Sequence, residues 1–473
     1  MKLILDAVHG YVEIDDKIFT DFIDTPQFQR LRNIKQTIID VLYPSATHSR
    51  FEHSIGVYYL GRRIIDSIIK KNDANEKIAM LAKKYRPTVE LACLLHDIGH
   101  APLSHLGEQF YPDSAKLLEE LKGEGVDLSK CDKKPASHEV MSCLVALRKF
   151  KPQIKKYKVD KDLFCRMITG VDCTQGVDKS FKNALINILS GAYDSDKIDY
   201  IMRDSNSAGI VTMVLDIARI VGSFNIINKD GTYIYVIEKS GFSVAEKVVE
   251  NRNYLVRWVY NHHKVQYCFE IARRYLRKIK NDNKNFVKLF SYDAITGKIK
   301  TGIKYVEEVE LIDDIDIWKL LKYYCAHDAV CEFYRKKLFD RQHFKPLWKT
   351  DIEFDKFLAA QNHIAAIWKI IESMAVEVPE DNIEKKVIEL SGGKLTANDF
   401  LIFMRAPKLS YPLAYSREAQ FYLPKTKEFV EDDKLFSRSL QEVAKEKRKM
   451  LYMYCDNSAN YKIIISALSR IAS

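Results

Sequence analysis

His96 and Asp97, in the run Leu94-Leu95-His96-Asp97-Ile98-Gly99-His100, form the most chemically pointed pair in the chain. A carboxylate on an apolar helix is expensive to bury unless it is paired or bound to a cation. Leu91, Leu94, Leu95 and Ile98 mark this helix as buried, so the two polar side chains are expected to turn into an internal site. Two other segments carry matching chemistry. His53 closes the cluster His48-Ser49-Arg50-Phe51-Glu52-His53, and Asp196 lies in Asp194-Ser195-Asp196-Lys197-Ile198-Asp199-Tyr200. His53, His96, Asp97 and Asp196 would supply imidazoles and carboxylates from three segments. That set suits a divalent transition metal of the Fe, Mn, Zn or Co kind. It leaves positions open for water or a phosphate oxygen. A buried hydrogen-bond network is the plain alternative for the same four residues.

More polar residues gather around this core in the sequence. His100 follows His96 by four residues, which on a helix places it on the same face. His105 comes after a Pro-Leu-Ser turn, and Glu108, three residues on, is spaced to hold one of its ring nitrogens. His138 opens a later helix beside Glu139. Arg50 precedes His53 by three residues and Lys197 directly follows Asp196, so both bring positive charge to the expected centre. Tyr200 and Asp204 stand at i+4 and i+8 from Asp196, on its helix face.

Helices must do the positioning. Apolar residues recur near i, i+3, i+4 and i+7 over 17–35, 51–71, 87–99, 137–149, 181–204 and 243–280. Lys229-Asp230-Gly231-Thr232 ahead of Tyr233-Ile234-Tyr235-Val236-Ile237 reads as a turn into a strand, and 301–312 as another short β region. The expected fold class is mainly α. It comprises a helical core over 1–285, a smaller α+β segment over 286–345 and a helical C-terminal region over 346–473.

The 473 residues are 47% hydrophobic and 29% charged, an ordinary globular composition. The apolar run at the N-terminus is too short for a signal peptide, and no stretch approaches ~20 uninterrupted apolar residues, so no membrane partner is expected. Nine scattered cysteines without a C-x-x-C pair suggest reduced thiols in a cytoplasmic protein. The net charge of +10 permits a polyanionic partner. The basic residues are dispersed among 64 acids, which favours solvated helices over a nucleic-acid surface.

The order His53, His96-Asp97, Asp196 resembles the HD-domain phosphohydrolases, and within them the deoxynucleoside triphosphate triphosphohydrolase branch. The likeness extends to Asp24–Gln36, Thr47–Ser54, Arg203-Asp204 and the later segment Leu311–Trp318. It implies an all-helical HD core with a metal held by His53, His96, Asp97 and Asp196, and Mg possible with the nucleotide. It implies that His100, His105 and His138 surround the scissile phosphate. His138 would be the general acid, and His105, backed by Glu108, would orient the attacking water. Arg50 and Lys197 would hold the triphosphate, with Arg252, Tyr260 and His262 as a further phosphate-facing motif. Gln36 would meet the sugar 3′-hydroxyl, Tyr200 would pack under the sugar, and Asp204 would accept from that hydroxyl. The chain departs from the family pattern with Glu108 for aspartate, Val256 for histidine and Thr37 for a leucine under the sugar. The expected reaction is metal-dependent hydrolysis of a (deoxy)nucleoside triphosphate at the α-phosphate, giving nucleoside and inorganic triphosphate, by a homo-oligomer. A phosphodiesterase or nuclease acting on nucleic acid or a cyclic nucleotide, and a nucleotide sensor without turnover, are the competing readings.

Overall fold

In the computed structural model the chain opens on an antiparallel hairpin, β1 (Lys2–Asp6) and β2 (Gly10–Ile14), with Leu5 opposite Tyr11 and Asp6 opposite Gly10. The structure describes all residues except 129–134, 174, 212, 326–327, 361–379, 406–419, 431–436, 438–449 and 471–473. The periodic stretch 17–35 is not one helix. It breaks into the short turns Asp16–Ile18, Phe19–Ile23, Pro26–Gln29 and Arg30–Asn33. Pro26, lacking an N–H and set at the first helical position, forces a new start there.

The long helix α1 (Arg50–Lys71) begins at a capping box: the Ser49 hydroxyl accepts the Phe51 N–H, and the Glu52 carboxylate accepts the Ser49 N–H at 2.9 Å. It packs along α2 (Glu76–Leu95). The sequence suggests a helix over 87–99. The structure instead starts it at the Asn75 cap, carries Pro87 inside, and ends it at Leu95. His96 and Asp97 therefore lie at the C-terminal mouth of α2, where the unpaired carbonyls favour positive charge. Helix α3 (Ser137–Lys149) has the span expected of it. The run 181–204 divides into α4 (Lys179–Ser190) and α5 (Ser195–Ser207), because Asp194 caps α5 by accepting the Lys197 N–H at 2.7 Å. After the hairpin β3 (Phe224–Lys229) and β4 (Thr232–Glu238), the run 243–280 forms α6 (Phe242–Tyr254) and α7 (His263–Asp282), separated by a π-helical turn at Leu255–Tyr260.

The chain divides into two compact units that interleave along the sequence, where composition suggests consecutive segments. The first is Met1–Leu255, Lys280–Leu320 and Ser410–Val443; the second is Val256–Ile279, Leu321–Leu409 and Ala444–Ser473. The first holds α1 to α6, a small hairpin of Lys298–Lys300 with Glu308–Glu310, and a four-stranded sheet. In that sheet Gln420–Leu423 runs parallel to β4. The second is built on a three-stranded sheet whose central strand Met450–Cys455 pairs with Phe400–Arg405 and Lys345–Pro346. Its core joins Trp348, Phe354, Val387, Ile402, Met453 and Ile464. The expected helical C-terminal region thus contains Glu380–Leu390 and Ser458–Arg470, and strands beside them. Among the described residues no helix is long and apolar enough to cross a membrane.

Candidate metal and phosphate site

Three side chains from α1, the end of α2 and the first turn of α5 converge on one point. His53 Nε2 lies 3.0 Å from Asp196 Oδ1 and 3.3 Å from His96 Nε2. His96 Nε2 is 4.0 Å from Asp196 Oδ1. An ion bound at about 2.0–2.2 Å holds its ligand atoms roughly 3–4 Å apart, so the spacing fits one cation. Asp97 stands alongside, its oxygens 3.5 Å from His96 Nε2 and 3.8 Å from His53 Nε2. Its Oδ2 also takes an Arg50 Nη1–H at 2.5 Å, so this carboxylate is paired with a cationic side chain beside the cluster.

The tautomers suit a metal. His53 Nδ1 bonds Asp199 Oδ2 at 2.7 Å, and His96 Nδ1 bonds the Cys93 carbonyl at 2.9 Å. Each ring thereby donates from Nδ1 and keeps its Nε2 lone pair for the common point. Burial pushes His53 down, but hydrogen bonds to Asp196 and Asp199 outweigh it and raise it to about 10. Without a cation, a proton is drawn to the place a metal would take. Asp97 is also buried, and Arg50, His96 and His53 hold its carboxyl well below the usual range.

Asp199 is itself tightly held. Arg203 donates to it from Nε at 2.8 Å and from Nη2 at 2.9 Å, and His9 Nε2 donates to Oδ1 at 2.6 Å. Arg203 Nη1 reaches Asp6 Oδ2 at 2.9 Å, and Asp6 Oδ1 accepts the backbone N–H of Val8 and His9. The turn of the N-terminal hairpin thus closes the back of the site. The pairing of Asp199 with Arg203 is legible as an i,i+4 spacing on α5. His9 and Asp6 are not, because they lie 190 or more residues away in sequence.

Three histidines of a second polar group, His100, His105 and His138, line the same cavity, whose volume is about 250 Å³. Glu108 Oε1 bonds His105 Nδ1 at 2.7 Å and lies 2.9 Å from His138 Nδ1 and 3.8 Å from His100 Nδ1. The rings of His100 and His138 stack with centroids 4.2 Å apart. Burial pushes His138 down, yet Glu108 reverses this and holds it above its usual value. Burial and then Arg50 hold His100 well below its own. Leu103 and Ser104, ahead of His105, adopt left-handed φ of 59° and 51°. Asp314 accepts the Leu103 N–H at 2.6 Å and the Lys35 N–H at 2.9 Å, and Arg30 donates to the His100 carbonyl at 2.8 Å. The Leu311–Trp318 segment therefore supports the turn that carries the histidines.

The expected substrate residues divide. Gln36, Arg50, Lys197 and Tyr200 line the cavity. Arg50 and Lys197 are ion-paired there, Lys197 Nζ to Asp194 Oδ2 at 2.5 Å. Arg252 reaches Tyr200, donating from Nε to its hydroxyl at 2.9 Å. Asp204 is buried and bonds His48 Nε2 at 2.7 Å, so it is engaged away from the cavity wall. Thr37, next to Gln36, keeps a buried hydroxyl with no hydrogen-bond partner among the described residues. Tyr260 and His262 belong to the second unit and are not among the residues lining this cavity.

Residues 50–159, from the start of α1 to beyond α3, match the family model described as HD domain. Over that stretch the chain is similar to HD domains. It is 33% identical over 264 residues to the deoxynucleoside triphosphate triphosphohydrolase SAMHD1 homolog of Dictyostelium discoideum, covering 55% of this chain and 46% of that protein. It is 29% identical over 335 residues to an uncharacterized protein of Methanocaldococcus jannaschii, covering 69% of this chain and 61% of that one. The chain thus spans between about half and two thirds of these curated relatives. A crystal structure of a hypothetical protein from Aquifex aeolicus superposes with a TM-score of 0.63 at 20% identity, covering 98% of this chain and 99% of that one. That likeness is one of fold. The HD match and the relatives together support a hydrolase.

Proposed function

We propose that this chain hydrolyses (deoxy)nucleoside triphosphates at the α-phosphate, releasing nucleoside and inorganic triphosphate. The observation that carries the proposal is the convergence of two groups on one cavity: the donors His53, His96 and Asp196, and the proton-handling group His100, His105, Glu108 and His138. A divalent transition metal held by His53, His96, Asp196 and Asp97 supplies Lewis acidity at a phosphate oxygen. Arg50 and Lys197 face the bound phosphates, and their ion pairs with Asp97 and Asp194 hold them oriented. Glu108 orients His105 toward the attacking water, and holds a proton on His138 for the leaving oxygen. The test is to incubate the metal-loaded protein with each dNTP and rNTP, singly and mixed, and to separate the products. Nucleoside with intact triphosphate is expected. Nucleoside monophosphate with pyrophosphate would overturn the register.

The sugar pocket carries a further expectation. Thr37 is smaller than leucine and offers a hydroxyl with no protein partner among the described residues, beside a Gln36 Oε1 in the same condition. Excluding an added hydroxyl by shape is worth roughly 1–3 kcal/mol. The kcat/KM preference for dATP over ATP is therefore expected to be modest in the wild type and to rise in Thr37→Leu. A preference above about a thousandfold that Thr37→Leu leaves unchanged exceeds what one such pocket residue supplies, and would refute it.

A further inference from the structure

His100, His105, Glu108 and His138 present one ligand atom each within 4.8 Å of one another. The proton-handling role leaves several of their features unexplained. Both ring nitrogens of His100 are buried without a hydrogen-bond partner among the described residues. Nδ1 of His138 is buried too, and it shares Glu108 Oε1 with His105 Nδ1, at 2.9 and 2.7 Å. An unpartnered buried imidazole nitrogen is costly, and a cation is one group that satisfies a lone pair where no donor is present. The His105 side chain is 66% exposed, so the cluster is open to solvent on one side.

We infer that these four residues form a second cation site, distinct from the His53–His96–Asp196 centre, that takes zinc and by doing so inhibits the enzyme. Three imidazoles and one carboxylate match a four-coordinate zinc donor set, and such a nitrogen-rich set discriminates against Mg²⁺, which prefers oxygen ligands. The separations from Glu108 Oε1, 2.7 Å to His105, 2.9 Å to His138 and 3.8 Å to His100, bracket the roughly 3.3 Å expected between donors of a tetrahedral zinc. The inhibition rests on the function proposed above. A zinc ion there takes the lone pair with which His105 would orient water, and displaces the proton His138 would donate.

The experiment uses the full chain, with any affinity tag removed, dialysed against chelator-buffered zinc. Bound metal is counted by elemental analysis and triphosphate release is followed in parallel. The wild type is expected to bind two zinc ions per chain, with activity falling as the second fills. Glu108→Gln and the exposed-site variant His105→Ala are expected to keep the first ion, which shows that the fold and the first centre survive. Each should bind the second at least tenfold more weakly. Saturation of the wild type at one ion, retention of two ions at unchanged affinity by both variants, or constant or rising activity as the second ion fills would overturn the proposal. One ion with intact hydrolysis removes the second site and leaves the function. Two sites with no hydrolysis of any nucleotide even when only the first is filled keeps the second site and removes the proposed function.

Discussion

At His53 the bond that decides its chemistry faces away from the cation point. Nδ1 is committed to Asp199, and Asp199 is clamped by Arg203 and His9. Outer partners of metal-binding histidines typically account for 10–100-fold in metal affinity. Asp199→Asn, measured by competition against a chelator, is expected to lose affinity in that range. His9→Ala should lose less, because Arg203 still holds the carboxylate. Unchanged affinity in both variants would detach the hairpin turn from the site. His138 and Glu108 set a pH dependence. Glu108 raises the folded value of His138 above its ordinary 6.5, so the stability from this pairing is whole below that value and fades as pH rises through the folded one. Glu108 is shifted the other way, below its ordinary 4.5 despite burial, by hydrogen bonds from His105 and His138, so its contribution is present above 4.5 and fails as pH falls through the folded value. With His138 as the proton donor, the alkaline limb of kcat/KM lies above pH 6.5. Glu108→Gln removes the leading influence that raises His138, leaving Glu139 and Asp97 against burial, and should move that limb to lower pH. A limb that stays in place would take His138 out of the proton transfer. The converging residues His53, His96, Asp97 and Asp196 were legible in sequence because each belongs to a short motif of distinctive types. His9 and Asp6 escaped because their role exists only through contacts made by folding, whereas the Asp199–Arg203 pair is written in its i,i+4 spacing.

Between elements, the space for Asp199 comes from a glycine. The Cβ of any residue at Gly56 on α1 would overlap the Asp199 carboxylate and crowd the Arg203 guanidinium on α5. Gly56→Ala must therefore push α1 and α5 apart or displace Asp199. The overpacking cost is about 1–3 kcal/mol, against a helix-propensity gain of about 1 kcal/mol for replacing glycine. The variant is expected to melt at lower temperature and to bind metal more weakly. A variant at least as stable as wild type with full metal affinity would show that the contact is slack. Helix existence could be read from the 3.6-residue period: 51–71 and 137–149 fall within a residue of α1 and α3. Helix ends could not. Periodicity does not register that Asp194 prefers to cap α5 and so splits 181–204, or that α2 tolerates Pro87 and stops before His96. Those two breaks matter most to the site, since they set Asp196 in a first helical turn and the His96–Asp97 pair at a helix mouth.

Over the whole molecule the excess of ten positive charges is the feature that keeps a nucleic-acid substrate in contention. Its distribution argues otherwise. Many surface cations are matched locally, as in Lys84 with Asp178, Lys156 with Asp21, Lys71 with Glu238 and Arg148 with Glu120 and Glu124. The cations at the cavity, Arg50 and Lys197, are withdrawn from solvent and paired with acids of the site. Charges in such a place are screened by salt far less than exposed ones. A single strand lying on the surface behaves differently. Contact with about six phosphates costs on the order of 10²–10³ in affinity between 50 and 200 mM salt. The compact-substrate reading therefore predicts that KM for the triphosphate changes less than about tenfold over that range. Single-stranded oligonucleotide, added as competitor, should inhibit only at low salt and be recovered at full length. Shortened oligonucleotide, formed with a salt slope of several phosphates and suppressed by His96→Ala, would give the cavity to an extended strand instead. That result would use the same metal donors, because the donor set selects the bond chemistry. Only the cations around it select the shape of the polyanion.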